Sequence, residues 1–153
     1  MPKELDILTA EEKQILIDAI PYISILVAGA DGDIDPKEIK SSGKITKLRS
    51  FSYEEDLRPY YKKVGDTFEE RFFAILNELP NEVEERKQAI SQKLARLNTI
   101  LPKLDHFYAR LYYNSLKSFA DHVAHASGGV MGWLSVGFEE YKVIDLPMIK
   151  PIE

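Results

Sequence analysis

The sequence predicts an all-α fold, a single compact domain of about seven helices, from three observations. A capping residue followed three positions later by Glu recurs five times, as Thr9 with Glu12, Asp35 with Glu38, Ser52 with Glu55, Thr67 with Glu70 and Asn81 with Glu84. Such pairs satisfy backbone N–H groups that helix starts leave without partners. Apolar residues follow most of these starts at helical spacing, as Phe68, Phe72, Ile75, Leu76 and Leu79 do after Thr67, and no stretch shows strand-like alternation. A chain of 153 residues with 44% hydrophobic content supports one cooperative core, so residues 1–153 are expected to form one domain.

The first helix is expected from about Ala10 to about Ala30, with Leu16, Ala19, Ile20, Ile23, Leu26 and Val27 facing the core. Pro21 removes the bond to the Ile17 carbonyl and predicts a kink or a break there. A second helix starts at Pro36 and fades around Gly43 to Arg49. A third covers about Tyr53 to Val64, with a kink at Pro59 and Gly65 as its C-terminal stop. Thr67 to Leu79 forms a fourth, ended by Pro80. Asn81 opens a fifth with Val83, Ile90, Leu94, Leu97 and Leu101 on its apolar side, and its mixed-sign outer face reads as solvated surface. Pro102 restarts the chain into a sixth helix, about Lys103 to Ala126. Its stripe of Phe107, Tyr108, Leu111, Tyr112, Leu116, Phe119 and Val123 reads as core. A glycine-rich loop over 127–137 leads to a last short helix with Glu139 and Glu140. The loop lacks the GxxxxGK[ST] pattern and follows a helix, which excludes a P-loop or dinucleotide fingerprint. The tail, 145–153, is expected to be extended because of Pro147 and Pro151, and to lie on the body if Leu146, Met148 and Ile152 find apolar grooves.

The formal net charge of -5 argues against a nucleic-acid surface and favours cations or basic partners. Absence of cysteine removes disulfides, thiolate zinc sites and cysteine nucleophiles. The apolar run Ile15 to Ala30 is shorter than a membrane span and contains Asp18, Pro21 and Ser24, so no membrane partner is expected. No secretory signal is recognisable at the start, and a cytoplasmic location is the expectation.

The one chemically distinctive stretch is Ala28-Gly29-Ala30-Asp31-Gly32-Asp33-Ile34-Asp35-Pro36-Lys37-Glu38. Aspartates at alternate positions repel one another unless water, backbone donors or a cation relieves them. Asp31, Asp33 and Asp35 fit the first, third and fifth positions of an EF-hand loop. Pro36 then stands where a glycine is needed and Ser42 where a bidentate Glu should be, so the EF-hand comparison fails. What remains is a candidate Ca²⁺ or Mg²⁺ site of Asp31, Asp33, Asp35 and Glu38, completed by carbonyls and water. The competing reading is turn and capping chemistry, with Asp35 as N-cap, Pro36 at the first helical position and Glu38 closing a capping box.

Val27-Ala28-Gly29-Ala30-Asp31-Gly32 matches Val123-Ala124-His125-Ala126-Ser127-Gly128 at four of six positions, which predicts two pseudo-repeated helix-loop-helix halves with neighbouring loops. The acidic stretch and its weaker second copy resemble the TerB-like helical domain of tellurite-resistance proteins, over roughly Thr9 to Ile144. That resemblance implies a metal-binding or complex-assembly module of bacterial stress systems rather than an enzyme. The second copy carries Ser127 and Gly129 where the first has Asp31 and Asp33, and has an insertion.

His122 and His125 share a helix face, and Asp121 with His125 is a surface pair rather than half of a metal site. No strained elbow or orienting carboxylate accompanies Ser127 or Ser135, so no enzyme is expected. Two functions stand: a divalent-cation-responsive binding domain at the acidic loop, and a purely structural or protein-interaction domain. A small-ligand site around Gly128 to Trp133 is a third.

Overall fold

The computed structural model describes residues 3–29, 34, 36–127 and 144–152. Among these, the chain is helical with no strand, and five helices of three turns or more carry the fold. They are α1 (Ala10–Ala28), α2 (Pro36–Ser52), α3 (Arg58–Glu78), α4 (Val83–Ala95) and α5 (His106–Ser127). A helical turn, Leu97–Ile100, and a 3-10 turn, Leu101–Lys103, connect α4 to α5. One apolar core runs from Leu5 before α1 to Ile149 in the tail, and no helix is long and apolar enough to cross a membrane. The last expected helix and most of the glycine-rich loop lie outside the described residues.

The start of α1 is the capping box read from the sequence. Glu12 N–H donates to Thr9 Oγ1 at 3.1 Å and Thr9 N–H returns to Glu12 Oε1 at 3.0 Å. All six residues expected in the core from this helix are buried. The helix does not break at Pro21. Burial of both flanking turns outweighs the one bond that proline removes, and the Leu16 carbonyl, just below the proline, accepts the Tyr60 and Tyr112 hydroxyls at 2.5 and 2.9 Å.

Between Arg58 and Glu78 the two expected helices are one. Gly65 is no stop and Thr67 no start, because Tyr61, Val64, Phe68, Phe72 and Ile75 continue a single buried face across them. Each such side chain contributes about 1.5–3 kcal/mol on burial, against about 1 kcal/mol for a helix-interior glycine. Pro59 sits in the first turn, where a proline costs little. The Ser52 hydroxyl bonds back to the Leu48 carbonyl at 2.8 Å and is therefore not a cap.

The second helix does not fade at Gly43 but continues to Ser52. Its buried face is Ser42, Thr46 and Arg49, polar residues at helical spacing, which is why apolar periodicity loses it. Farther along, Glu82 rather than Asn81 caps α4, accepting from Glu84 and Glu85 N–H at 3.1 and 2.8 Å. The chain then breaks at Arg96, whose carbonyl is taken by both N–H and Oγ1 of Thr99, at 3.2 and 2.9 Å. Of the aromatic stripe on α5, Phe107 points to solvent while Tyr108, Tyr112 and Phe119 are buried.

The tail lies on the body, in turns rather than extended. Leu146 and Ile149 are buried, and Asn98 holds both sides of the segment, donating to the Met148 carbonyl at 2.9 Å and accepting from Lys150 N–H at 2.8 Å. Leu146 takes a left-handed φ of 49°, a strained conformation sustained by its complete burial.

Three glycines separate by what a methyl group would meet. At Gly29 a Cβ would lie 2.7 Å from the Ile25 carbonyl and 2.9 Å from Arg86 Nη2, whereas at Gly43 and Gly65 the nearest atoms, on Phe68 and Thr46, stand at 3.7 and 3.6 Å. Urea unfolding should therefore show Gly29→Ala destabilised by about 1–3 kcal/mol. Gly43→Ala and Gly65→Ala should be neutral or gain up to about 1 kcal/mol from helix propensity. The reverse order would contradict the helix ends and interiors described above.

Candidate functional site

The four expected metal ligands divide at the edge of the described residues. Glu38 is half-buried in the first turn of α2, while Asp31, Asp33 and Asp35 lie outside the described residues, as do Glu139 and Glu140. Both ends of the acidic stretch are fixed. Arg86, buried on α4, donates from Nη2 to the Gly29 carbonyl at 2.9 Å, and α2 begins at Pro36. A buried guanidinium therefore sits at the C-terminal end of α1, where positive charge is favoured by the helix dipole.

His122 and His125 face separate tasks. His125 Nδ1 approaches its own helix, at 2.8 Å from the Asp121 carbonyl and 3.5 Å from its carboxylate. His122 Nδ1 stands 2.9 Å from Arg49 Nη2. A guanidinium is always a donor, so His122 accepts and carries its proton on Nε2. Partial burial, and then the Arg49 charge, hold the His122 pKa below its ordinary value.

Arg49 is a second buried cation, set between α2, α3 and α5. Nη1 donates to the Tyr61 hydroxyl at 2.9 Å and the Ser115 carbonyl at 3.0 Å, and Nη2 to Ser118 Oγ at 2.8 Å and to His122. The Tyr53 ring lies 4.3 Å away, a cation–π contact. Tyr61 in turn donates to Ser115 Oγ at 3.0 Å, and Ser115 to the Tyr112 carbonyl at 2.8 Å. Burial raises the Tyr61 phenol above its ordinary pKa, so it stays a neutral donor and acceptor. The network ties α2 to α3 and α5. On the other side of α3, Arg71 forms a bidentate pair with buried Asp18 of α1, at 3.0 and 2.8 Å, and Gln14 adds a third contact at 2.9 Å.

Outside this clamp, α2 and α3 run antiparallel and border a groove of about 560 Å³. Its floor is Gly43, Gly65, Phe68 and the half-exposed Phe73; one wall carries Lys37, Lys40, Lys44 and Lys47, and Glu69 is the one acid in its lining. The lysines recur every three or four residues and so occupy one face of α2. Lys40, Lys44 and Lys47 make no ion pair among the described residues. Leu48 and Phe51 prolong this side of the helix and are exposed. An overall acidic chain thus concentrates basic charge beside exposed apolar surface, contrary to the expectation from net charge. The lysine spacing was the signal available in the sequence.

No family model, curated protein or solved structure matches the chain. The likeness to TerB-like domains consequently rests on residues 27–38 and 123–128 alone.

A lysine cannot supply the four directed donors of Arg49, so Arg49→Lys should lower stability by about 2–4 kcal/mol in urea. Unchanged stability would show that the acceptors are satisfied without the fork. The depressed His122 pKa means that the unfolded chain binds a proton the native state refuses, so stability is full above about pH 6.5 and declines as pH falls below it. The fall between pH 7.5 and 5 should be smaller in His122→Gln than in the wild type, and equal falls would remove His122 as its source.

Proposed function

We propose that this chain is a non-enzymatic helical interaction domain of the TerB-like kind, acting by docking a protein in the groove between α2 and α3. The observation that carries this reading is the four-lysine face of α2 beside the half-exposed Phe73, in a chain of net charge -5. Exposed apolar surface rimmed by charge is the usual composition of a docking site. The half-exposed Phe73 supplies an aromatic anchor of the kind that dominates such interfaces. The proposed duplication shares buried Val and Ala positions, 27 and 28 against 123 and 124, but not a helix end, since the first helix stops at Ala28 and the second continues to Ser127. A photo-cross-linking residue in place of Phe73 should form discrete adducts in host-cell extract. The protein captured should bind the purified chain and lose about tenfold in affinity against Lys40→Glu/Lys44→Glu. The same cross-linker in place of exposed Glu84 should give none of these adducts. Equal labelling at both positions would contradict a dedicated surface.

A second reading, cation binding by Asp31, Asp33, Asp35 and Glu38, is favoured by the fixing of the acidic run at both ends. Arg86 already brings one positive charge to its start, so Ca²⁺ or Mg²⁺ should bind weakly, with Kd on the order of 10⁻⁴ to 10⁻³ M. Calorimetric titration should saturate in the wild type and fail in Asp31→Asn/Asp33→Asn. Identical heats in the two proteins would leave the loop with capping and turn formation only.

A further inference from the structure

Resting on the docking reading above, we infer that the occupant of the α2–α3 groove is an acidic amphipathic helix of a partner protein, laid along α2 with its carboxylates on the lysine wall and its apolar side on Phe73 and the half-buried Ile39. Three features select this class. Lys37 to Lys47 spans about 15 Å at about 1.5 Å per residue. Four lysines strung along that length suit charges distributed along a rod rather than a single phosphate or carboxylate, for which they would have to converge. A helix of about three turns repeats acidic side chains at three- and four-residue steps over the same length, so the two rows are in register.

The floor makes the second selection. Phe73, half-exposed, and Ile39 offer apolar contact to an occupant, with Phe68 buried beneath them. A sugar-phosphate backbone would find lysines here but nothing on the floor to match its polar surface. A membrane headgroup layer needs a convex or flat basic face, whereas this surface is recessed between two helices. The third feature is the clamp beneath. Arg49 pins α2 from the inside, so the lysine wall is preformed and binding requires no rearrangement of the helix pair. Leu48, next to Lys47, and Phe51, one turn beyond it, give the incoming helix an apolar end contact and polarise its direction.

The test uses the purified full chain, isotopically labelled for NMR, and three synthetic helical peptides of equal length. One places Glu at three- and four-residue steps with Leu on the adjoining face, one replaces every Glu by Lys, and one scrambles the first. Vesicles of mixed neutral and anionic phospholipid form a fourth arm. Shifts from the acidic peptide should centre on residues 36–47 and 65–73, with affinity at least about tenfold above the scrambled peptide. Raising salt from about 0.05 to about 0.3 M should weaken it several-fold. Lys40→Glu/Lys44→Glu should lose about tenfold for the acidic peptide and gain for the lysine peptide, an exchange that misfolding cannot produce. Binding of the acidic peptide no better than its scramble, preference for vesicles, or a double variant with unchanged selectivity overturns the acidic-helix assignment. If the groove amides respond equally to all amphipathic peptides, docking stands and the partner's charge is wrong. If no arm moves them, both readings fall together.

Discussion

A guanidinium buried among neutral acceptors decides where α2 lies. Arg49 is 3% exposed and cannot shed its charge, so its desolvation has to be offset by directed hydrogen bonds and by the faces of aromatic rings. Tyr61, the Ser115 carbonyl, Ser118 and His122 supply the bonds, and Tyr53 supplies the ring. Those acceptors belong to α3 and α5, or to the turn leading into α3. Only one placement of α2 brings them to the four Nη hydrogens together. Apolar packing alone would define this helix poorly, since its fully buried residues are Ser42, Thr46 and Arg49 and only the half-buried Ile39 and Ile45 add apolar contact to the core.

The outward character of α2 follows from that inward one. With a polar face turned to the core, the helix has no reason to keep lysines from its outer side, and Lys37, Lys40, Lys44 and Lys47 occupy it. Gly43 faces Phe68 and Gly65 faces Thr46, each with room for a methyl group, so the spacing of the two helices does not depend on glycine. The groove above is therefore bounded by a wall whose position is set from within. Ahead of α2, the acidic stretch leaves α1 beside Arg86, and the absence of a side chain at Gly29 lets the guanidinium reach the Gly29 carbonyl. Two buried arginines thus hold the segments that carry both functional readings.

The helical class was legible because it rests on local chemistry. Thr9 with Glu12 is a capping box, the core face of α1 is a continuous apolar stripe, and Pro36 starts α2. The boundaries that went astray are those where tertiary burial overrides a local signal. Gly65 and Thr67 read as a stop and a start, yet the face from Tyr61 to Ile75 has too much to bury for the helix to end between them. Arg49 was invisible as a core residue since no sequence rule separates a clamped arginine from a surface one. Its acceptors lie up to 73 positions away, at His122. The lysine wall was legible in principle, as a three-four-three spacing, but net charge pointed the other way. Of the candidate metal ligands only Glu38 falls within the described residues, and the acidic loop still rests on its residue pattern.

The central claim is that the Arg49 network, rather than apolar packing, holds α2 and with it the groove wall. Native-state hydrogen exchange, read residue by residue in the wild type and in Arg49→Met, tests it most directly. Methionine keeps the apolar bulk and removes the donors. In Arg49→Met, amides of α2 from Ile39 to Ser52 should lose protection selectively while those of α1 between Leu16 and Ala28 retain theirs. Protection in α2 that is unchanged, or that falls in step with α1, would contradict it.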